Sequence, residues 1–202
     1  MKLRPIYFFL FGLLLSSFTV IPFFPDLIGK KVNDFSLKDT DGKYVSLKDF
    51  KDAKGFMVIF TCNHCPFARL YSKRMNELNK KYKAKGIPLI AVNPMDTVAY
   101  EDESAALMKK KAKEEKFNFP YLQDVFQKTV VDFGADHTPQ AFIIWKENND
   151  WIIRYSGSID DNGEHPEKAN SFLANAADEL LSGKIVTQAQ TGSFGCKIFL
   201  RK

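Results

Sequence analysis

The chain has 202 residues, of which 45% are hydrophobic and 26% are charged. This composition is typical of a globular protein, excludes a disordered chain, and suits one domain with short appendages. The formal net charge is +5, but the lysines are spread along the chain and are interrupted by glutamates. Because a nucleic-acid site needs a focused basic surface with aromatic stacking partners, the sequence predicts no nucleic-acid binding.

Residues 1–25 form a segment of their own. Two basic residues precede the uncharged stretch 6–24, whose length is close to the roughly 20 residues that span a bilayer. This pattern is typical of a cleavable signal peptide or of an uncleaved membrane anchor, and both interpretations stay open. Since the positive charges precede the apolar stretch, either one places the rest of the chain outside the cytoplasm, in the periplasm or cell envelope.

The next segments predict a β-hairpin and a β-α-β unit. Two alternating runs around Asp-Thr-Asp-Gly predict the hairpin within residues 32–50. Continuous apolar runs at 55–61 and 87–93 predict two buried parallel strands. Between them, apolar residues spaced three and four apart predict a helix that begins at Pro66 and ends near Gly86. The apolar face of this helix consists of Phe67, Leu70, Tyr71, Met75, Leu78 and Tyr82.

The second half of the chain predicts helices and a further hairpin. A loop at 94–103 precedes an amphipathic helix at 104–116 and a short helix that ends at Gly134. The runs QAFIIW and WIIRYSG, separated by KENND, predict an antiparallel hairpin. A last helix is predicted after Pro166. Its inner face is expected to consist of Ala169, Phe172, Leu173, Ala176, Leu180 and Leu181.

The three cysteines point to redox chemistry rather than to structural crosslinks. Cys62, Cys65 and Cys196 are too few for a fold that depends on disulfides, and sparse cysteines in an exported chain favour thiol exchange. The spacing of Cys62 and Cys65 fits half of a zinc site, but a second close pair of ligands is missing from the sequence. We therefore predict neither a metal nor another cofactor.

The motif Cys62-Asn63-His64-Cys65 lies where the predicted central strand meets the predicted helix. Pro66 is typical of the first position of a helix, so Cys65 is expected at the helix N-terminus. Free backbone N–H groups and the positive end of the helix dipole favour a thiolate there, and His64 adds a nearby cation. We expect the thiol pKa of Cys65 to be lower than that of Cys62.

The order of elements and two motifs resemble the thioredoxin fold. The motifs are FTCNHCP at the strand-to-helix junction and HTPQAFII, whose Thr138-Pro139 matches the cis-proline loop of that fold. The resemblance extends over residues 27–183 and leaves 184–202, with Cys196, as a C-terminal tail. It is to the redoxin or peroxiredoxin-like (AhpC/TSA-type) branch, which implies an α/β domain with a central mixed sheet flanked by helices and an extra N-terminal β-hairpin.

By this resemblance, the chain is an exported thiol-disulfide oxidoreductase that acts on protein disulfides or dithiols and exchanges electrons with a redox partner. Cys62 and Cys65 would carry the exchange. A cis Pro139 would let the adjoining backbone pair with an extended substrate. The site residues that match are Cys62, Asn63, His64, Cys65, Thr138 and Pro139.

Alternatives remain open within the resemblance. The simple pairing joins Cys62 and Cys65, whereas counting from the strand aligns Cys65 with the first cysteine of thioredoxins and makes Cys196 a candidate resolving thiol. The alternative activity is a peroxidase that uses Cys65, with Cys62 or Cys196 as the resolving thiol. Peroxiredoxins need an arginine near the reactive sulfur, and Arg69 and Arg154 are the candidates. A third alternative is a non-catalytic module that binds partners and keeps its cysteines as a staple.

Other polar residues near the motifs are interpreted as structural. Asp160, Asp161 and Asn162 predict an Asx-rich turn ahead of the last helix in preference to a metal site. His137, which precedes the Thr138-Pro139 pair, is expected to be a surface residue rather than a catalyst.

Overall fold

The computed structural model describes residues 27–201. The predicted signal peptide or anchor, with its uncharged stretch 6–24, lies outside this part of the chain. Among the described residues, no helix is long and apolar enough to cross a bilayer.

The described chain contains ten strands and five α-helices. The strands are β1 (Lys31–Val32), β2 (Ser36–Asp39), β3 (Tyr44–Ser46), β4 (Gly55–Phe60), β5 (Leu89–Asn93), β6 (Tyr121–Gln123), β7 (His137–Thr138), β8 (Gln140–Glu147), β9 (Asp150–Gly157) and β10 (Cys196–Lys197). The helices are α1 (Pro66–Leu70), α2 (Ser72–Tyr82), α3 (Ala105–Glu114), α4 (Lys128–Phe133) and α5 (Phe172–Leu181). Eight strands form one sheet in the order β1-β9-β8-β4-β5-β6-β2-β3, and β10 pairs separately with β7.

The central strand β4 places apolar side chains on both faces of the sheet. It pairs in parallel with β5 and antiparallel with β8, so the sheet is mixed and the predicted β-α-β unit is confirmed. Phe56, Val58 and Phe60 join one buried apolar cluster, while Met57 and Ile59 join the cluster on the opposite face. All five side chains are 0% exposed, which explains why this segment reads as an unbroken apolar run.

The helix after the cysteine motif is broken where the sequence predicted a continuous one. Tyr71 separates α1 from α2, so the two helices do not share one apolar face. Ala68 is the buried residue of α1, whereas Phe67 and Leu70 are 51% and 43% exposed. The prediction that these two belong to the core-facing stripe is wrong. The rest of the stripe is buried, and the segment ends at Gly86 in a left-handed conformation (φ 90°), as predicted.

Short strands were missed, while both hairpins were predicted correctly. The N-terminal hairpin β2-β3 forms as expected, and the unpredicted β6 joins it to the main sheet. The hairpin β8-β9 also forms as expected. The last helix begins only at Phe172, because Pro166–Lys168 forms a separate 3-10 turn. Ala169 therefore lies outside the helix, contrary to the prediction, while Leu173, Ala176 and Leu180 are buried on its inner face.

Candidate active site

The cysteine motif lies between the end of β4 and the start of α1. Cys65 is the N-cap of α1 and Pro66 is its first residue, as the sequence predicted. Cys62 and Cys65 are both reduced and both 0% exposed. Because β4 is fixed by strands on both sides, the motif starts from a rigid part of the sheet.

The loop that contains Pro139 lies against both sulfurs. The Thr138-Pro139 peptide bond is cis, as predicted from the motif. The Cys62 sulfur lies 3.1 Å from the Thr138 hydroxyl oxygen, and the Cys65 sulfur lies 3.1 Å from the Thr138 carbonyl oxygen. The structure thus brings together the two motifs on which the sequence analysis depended.

Cys196 is brought to the same place by the C-terminal segment. In the β7-β10 pair, Cys196 is directly opposite Thr138. Because the Thr138 carbonyl oxygen lies 3.1 Å from the Cys65 sulfur, this pairing brings Cys196 close to Cys65, and the two thiols affect each other's pKa. The third cysteine of the chain is therefore part of the candidate site, and it is only half-buried.

Hydrogen bonds around the Cys65 sulfur favour its thiolate. Donation by the Cys62 thiol has the largest effect, the Cys196 thiol and the N–H groups of Ala68 and Cys196 add to it, and together they lower the pKa of Cys65 to about 4 although burial opposes this. The Thr138 carbonyl would accept a hydrogen bond from the protonated thiol, but it is a single acceptor against four donors. The same Cys62–Cys65 hydrogen bond, together with burial, raises the pKa of Cys62.

The pKa of Cys196 is raised to about 11 by burial and by the neighbouring Cys65 thiolate. The three thiols thus share one negative charge, which resides on Cys65. The prediction that Cys65 has a lower pKa than Cys62 agrees with these contacts.

We expect the thiolate absorbance in the ultraviolet to report this charge directly. The difference in thiolate absorbance between reduced wild type and reduced Cys65→Ser should titrate near pH 4, far below the pKa of about 8.5 for a free cysteine. Since the folded-state pKa lies below the unfolded one, the thiolate stabilises the reduced protein fully above the unfolded pKa, and this stabilisation is lost as the pH falls through about 4. The difference in thiolate absorbance between reduced wild type and reduced Cys196→Ser should titrate near pH 11. A Cys65 midpoint between pH 8 and 9 would contradict the assignment.

Glu103 holds the backbone of the cysteine motif. It lies in a 3-10 turn (Glu101–Glu103) within the segment predicted as a loop, and it is 0% exposed. Its carboxylate accepts hydrogen bonds from the N–H of Asn63 at 2.8 Å and from the N–H of His64 at 2.8 Å. The amide of Asn93 donates to the same carboxylate at 2.6 Å. No sequence pattern distinguishes this glutamate from its neighbours, so its role could not be predicted from the sequence.

His64 and Asn63 are held by protein partners. The His64 ring pairs with Glu103 at 2.6 Å through Nδ1 and stacks on Tyr100 with ring centroids 4.6 Å apart. The Asn63 amide donates to the Asp102 carbonyl at 2.6 Å, and its oxygen accepts the Tyr121 hydroxyl at 3.0 Å. Both residues of the dipeptide between the cysteines therefore fix the shape of the turn.

Two cations bind the carbonyl groups of the turn. Lys111 donates from Nζ to the Cys62 carbonyl at 2.7 Å, and burial lowers the pKa of this lysine. Arg69 donates from Nε to the Asn63 carbonyl at 2.9 Å. Arg154, the other arginine considered for a peroxide site, pairs with Glu147 at 2.7 Å. The role of Lys111 could not be predicted from the sequence either, because the helix that contains it has the pattern of a solvated lysine-rich face.

Cys62, His64 and Glu103 bring three potential metal ligand atoms within 4.8 Å of one another. Sulfur, nitrogen and oxygen ligands suit zinc. However, the Glu103 oxygens already accept several N–H groups, and metal binding needs a Cys62 thiolate whereas its surroundings raise its pKa. The expectation of no metal site stays a prediction.

The polar loop before the last helix forms the expected Asx-rich turn. Asp160 accepts a hydrogen bond from the Tyr71 hydroxyl at 3.1 Å and forms an ion pair with Arg74. Asp161 accepts the N–H of Asn170 at 2.7 Å. These carboxylates therefore have structural partners. His137, on the other side of the site, is partly exposed and pairs with Asp136 at 2.8 Å.

Comparison with known proteins identifies the family. The sequence profile of the AhpC/TSA family matches residues 28–156. The chain belongs to this family. A thiol-disulfide oxidoreductase ResA from Bacillus thuringiensis is 32% identical over 120 residues, which cover 59% of this chain and 65% of that protein. The matched segment thus spans less than two thirds of this relative.

Solved structures show the same fold. An uncharacterised conserved protein from Geobacillus kaustophilus is 32% identical, with a TM-score of 0.78, and the match covers 86% of this chain and 92% of that one. For the fold alone, peroxidoxin BcpB from Mycobacterium tuberculosis has a TM-score of 0.55 at 17% identity, covering 77% of this chain and 94% of that one. The thioredoxin-like fold expected from the two motifs is confirmed.

Proposed function

We propose that the protein is an exported thiol-disulfide oxidoreductase whose reaction centre is the Cys62–Cys65 pair. The observation that carries the proposal is the position of the Cys65 sulfur, which lies at the N-terminus of α1 and 3.1 Å from the Thr138 carbonyl oxygen of the cis-proline loop. A thiolate is the reactive form in disulfide exchange. The Bacillus thuringiensis relative is a thiol-disulfide oxidoreductase, which supports the same activity.

In the reductive direction, the Cys65 thiolate attacks a disulfide sulfur placed beside the cis-proline loop. A Cys65 mixed disulfide forms, and the other sulfur leaves as a thiolate. Cys65 is then neutral, so the hydrogen bond that raised the pKa of Cys62 is lost, and the Lys111 cation near the Cys62 backbone favours its ionisation. Cys62 attacks Cys65 and releases the second substrate thiolate, which leaves a Cys62–Cys65 disulfide.

A cavity beside the cis-proline loop, lined by apolar residues on one part and by polar residues such as Asp160 and Asn162 on another, suits a protein substrate. The cavity has a volume of about 290 Å³, and its lining includes Phe67, Leu70, Pro139 and Phe194. Phe67, Leu70 and Phe194 are exposed. An apolar side chain next to the substrate cysteine could bury part of this surface, so we propose unfolded or extended polypeptides as substrates. Thr138 would supply the backbone that pairs with them when β10, its partner in the structure, is displaced.

Export and electron supply complete the proposal. The uncharged stretch 6–24 after two basic residues supports a location outside the cytoplasm, either released or anchored. Two-electron exchange at a dithiol needs a redox partner that restores the starting state.

Reduction of insulin disulfides in the presence of dithiothreitol tests the activity. The wild-type protein should accelerate the reaction catalytically, and the oxidised protein should contain the Cys62–Cys65 disulfide. Hydroperoxide consumption is measured in parallel with the same reductant. Peroxide turnover without insulin reduction would replace the proposal by the peroxidase alternative, and the absence of both would favour a non-catalytic module.

A further inference from the structure

The last part of the chain crosses the active site as a strap held at both ends. We define residues 189–201 as the C-terminal strap. At one end, the N–H of Thr191 donates to the Ser156 carbonyl at 3.0 Å. At the other end, the N–H of Ile198 donates to the Asp136 carbonyl at 2.8 Å. Between these anchors the strap forms β10, antiparallel to β7.

The strap touches the cis-proline loop at its closest point through Gly195. A Cβ atom built on Gly195 would lie 2.0 Å from the Thr138 carbonyl oxygen, so only glycine permits this approach. The next residue, Cys196, pairs with Thr138 and reaches the Cys65 sulfur. An extended peptide substrate would pair with the same backbone edge and present its cysteine to the same sulfur. The strap thus occupies the position of a substrate.

Exposure separates Cys196 from the other two cysteines. Cys62 and Cys65 are both 0% exposed, whereas Cys196 is only half-buried. An external disulfide or thiol therefore meets Cys196 before it can reach the buried pair.

We propose that the strap is a built-in substrate and that Cys196 is an entry thiol, which exchanges disulfides with external partners and passes them to Cys65. The proposal rests on the proposed function and adds the identity of the disulfide that Cys65 attacks. No bound group or outside oxidant is required beyond the substrate disulfide itself.

The exchange balances in three displacements. The Cys196 thiol gives its proton to the adjacent Cys65 thiolate and attacks a substrate disulfide, which forms a mixed disulfide and expels one substrate thiolate. The expelled thiolate takes this proton from Cys65, which is again a thiolate. The Cys65 thiolate attacks the Cys196 sulfur and expels the second substrate thiolate, which gives a Cys65–Cys196 disulfide. Cys62, after losing its proton to water, attacks Cys65 and expels the Cys196 thiolate. The substrate gains two electrons and two protons, and Cys62 and Cys65 become a disulfide.

When the protein oxidises external thiols, Cys196 is again the sulfur that meets them. In the Cys65–Cys196 disulfide, an incoming thiolate can reach the half-buried Cys196 sulfur, and Cys65 is the better leaving group because its thiolate is the more stable one. Both directions therefore use Cys196 as the contact with the outside.

Disulfide mapping after trypsin digestion distinguishes the two crosslinks. Cys62 and Cys65 share the tryptic peptide 55–69, whereas Cys196 lies in the peptide 185–197. Full-length Cys62→Ser, treated with one equivalent of oxidised glutathione, should link these two peptides. Cys62→Ser/Cys196→Ser is the matched control and should carry glutathione on Cys65. Glutathione on Cys65 of Cys62→Ser, with a free Cys196 thiol, would overturn the proposal.

Turnover separates this proposal from the proposed function. Cys196→Ser should form the Cys62–Cys65 disulfide but reduce insulin about tenfold more slowly, because the buried pair then reacts only when the strap opens. Undiminished turnover of Cys196→Ser would overturn the entry-thiol role while the proposed function stands. If wild type did not reduce insulin but Cys62→Ser still formed the Cys65–Cys196 disulfide, the proposed function would be overturned. The exchange between these two sulfurs would then still be supported.

Gly195→Ala tests the strap without removing a thiol. Its Cβ cannot fit against Thr138, so the strap should lift, the yield of the Cys65–Cys196 link should fall, and Cys65 should be alkylated faster by iodoacetamide. Gly183→Ala is the control, since Gly183 also has a positive φ of 71° but open space around it. Equal link yields in the two variants would contradict a strap seated as a substrate.

Discussion

Cys65→Ser is expected to abolish catalytic disulfide reduction, whereas Cys62→Ser is expected to keep disulfide exchange at Cys65 and lose turnover. Serine is not ionised near neutral pH, so Cys65→Ser lacks the only thiolate that the site stabilises. The loss in kcat/KM for insulin reduction should be at least about a thousandfold, as for removal of a catalytic nucleophile. Both sulfurs lie in a site whose backbone is held by other residues, so the two variants should fold alike.

The two variants differ in what they accumulate. Cys62→Ser retains a thiolate at Cys65 and should consume one equivalent of a substrate disulfide, after which the product persists because the Cys62–Cys65 disulfide cannot form. Cys65→Ser can hold the substrate only as a mixed disulfide on Cys196, and it should form no disulfide between two of its own cysteines. Thiol release is followed by absorbance and the products by mass spectrometry. If Cys65→Ser reacted as fast as wild type while Cys62→Ser were inert, the order of attack assigned to the pair would be reversed.

The parts of the fold that depend on local pattern could be predicted from the sequence. The unbroken apolar run of β4 and the alternation in the N-terminal hairpin each specify a strand regardless of their partners. The same holds for the cysteine motif and Thr138-Pro139, since strand, motif and helix follow each other directly. The prediction that the cysteine motif and Thr138-Pro139 contact each other in the folded chain followed only from the resemblance to a known fold.

The parts that depend on distant contacts could not be predicted. Glu103 is the last of three consecutive acidic residues, 101–103, in a segment that the sequence predicts to be a loop. Only the folded chain shows that it contacts the cysteine motif. The strap is another example, because β10 has two residues and its partner β7 also has two. Two-residue strands carry no periodicity. The break at Tyr71 likewise leaves no trace in the helical spacing that runs through it.

Glu103→Gln is expected to destabilise the reduced protein by about 4 kcal/mol, because hydrogen bonds to a buried charge contribute roughly 1.5–3 kcal/mol each. The carboxylate accepts from the backbone of Asn63 and His64 and from the side chain of Asn93. Glutamine offers one acceptor oxygen and turns an NH₂ group towards these donors, so at least one buried N–H loses its partner. Urea denaturation at neutral pH gives the free energy of unfolding.

Glu101→Gln is the matched control, since Glu101 lies in the same 3-10 turn but is exposed, and its free energy of unfolding should stay within about 0.5 kcal/mol of wild type. The negative charge of Glu103 also contributes to the raised pKa of Cys62. Its removal should therefore ease ionisation of Cys62 while loosening the turn that holds both sulfurs. If Glu103→Gln unfolded at the urea midpoint of Glu101→Gln, the geometry of the site would have to be maintained by Lys111, Arg69 and the strand β4 alone.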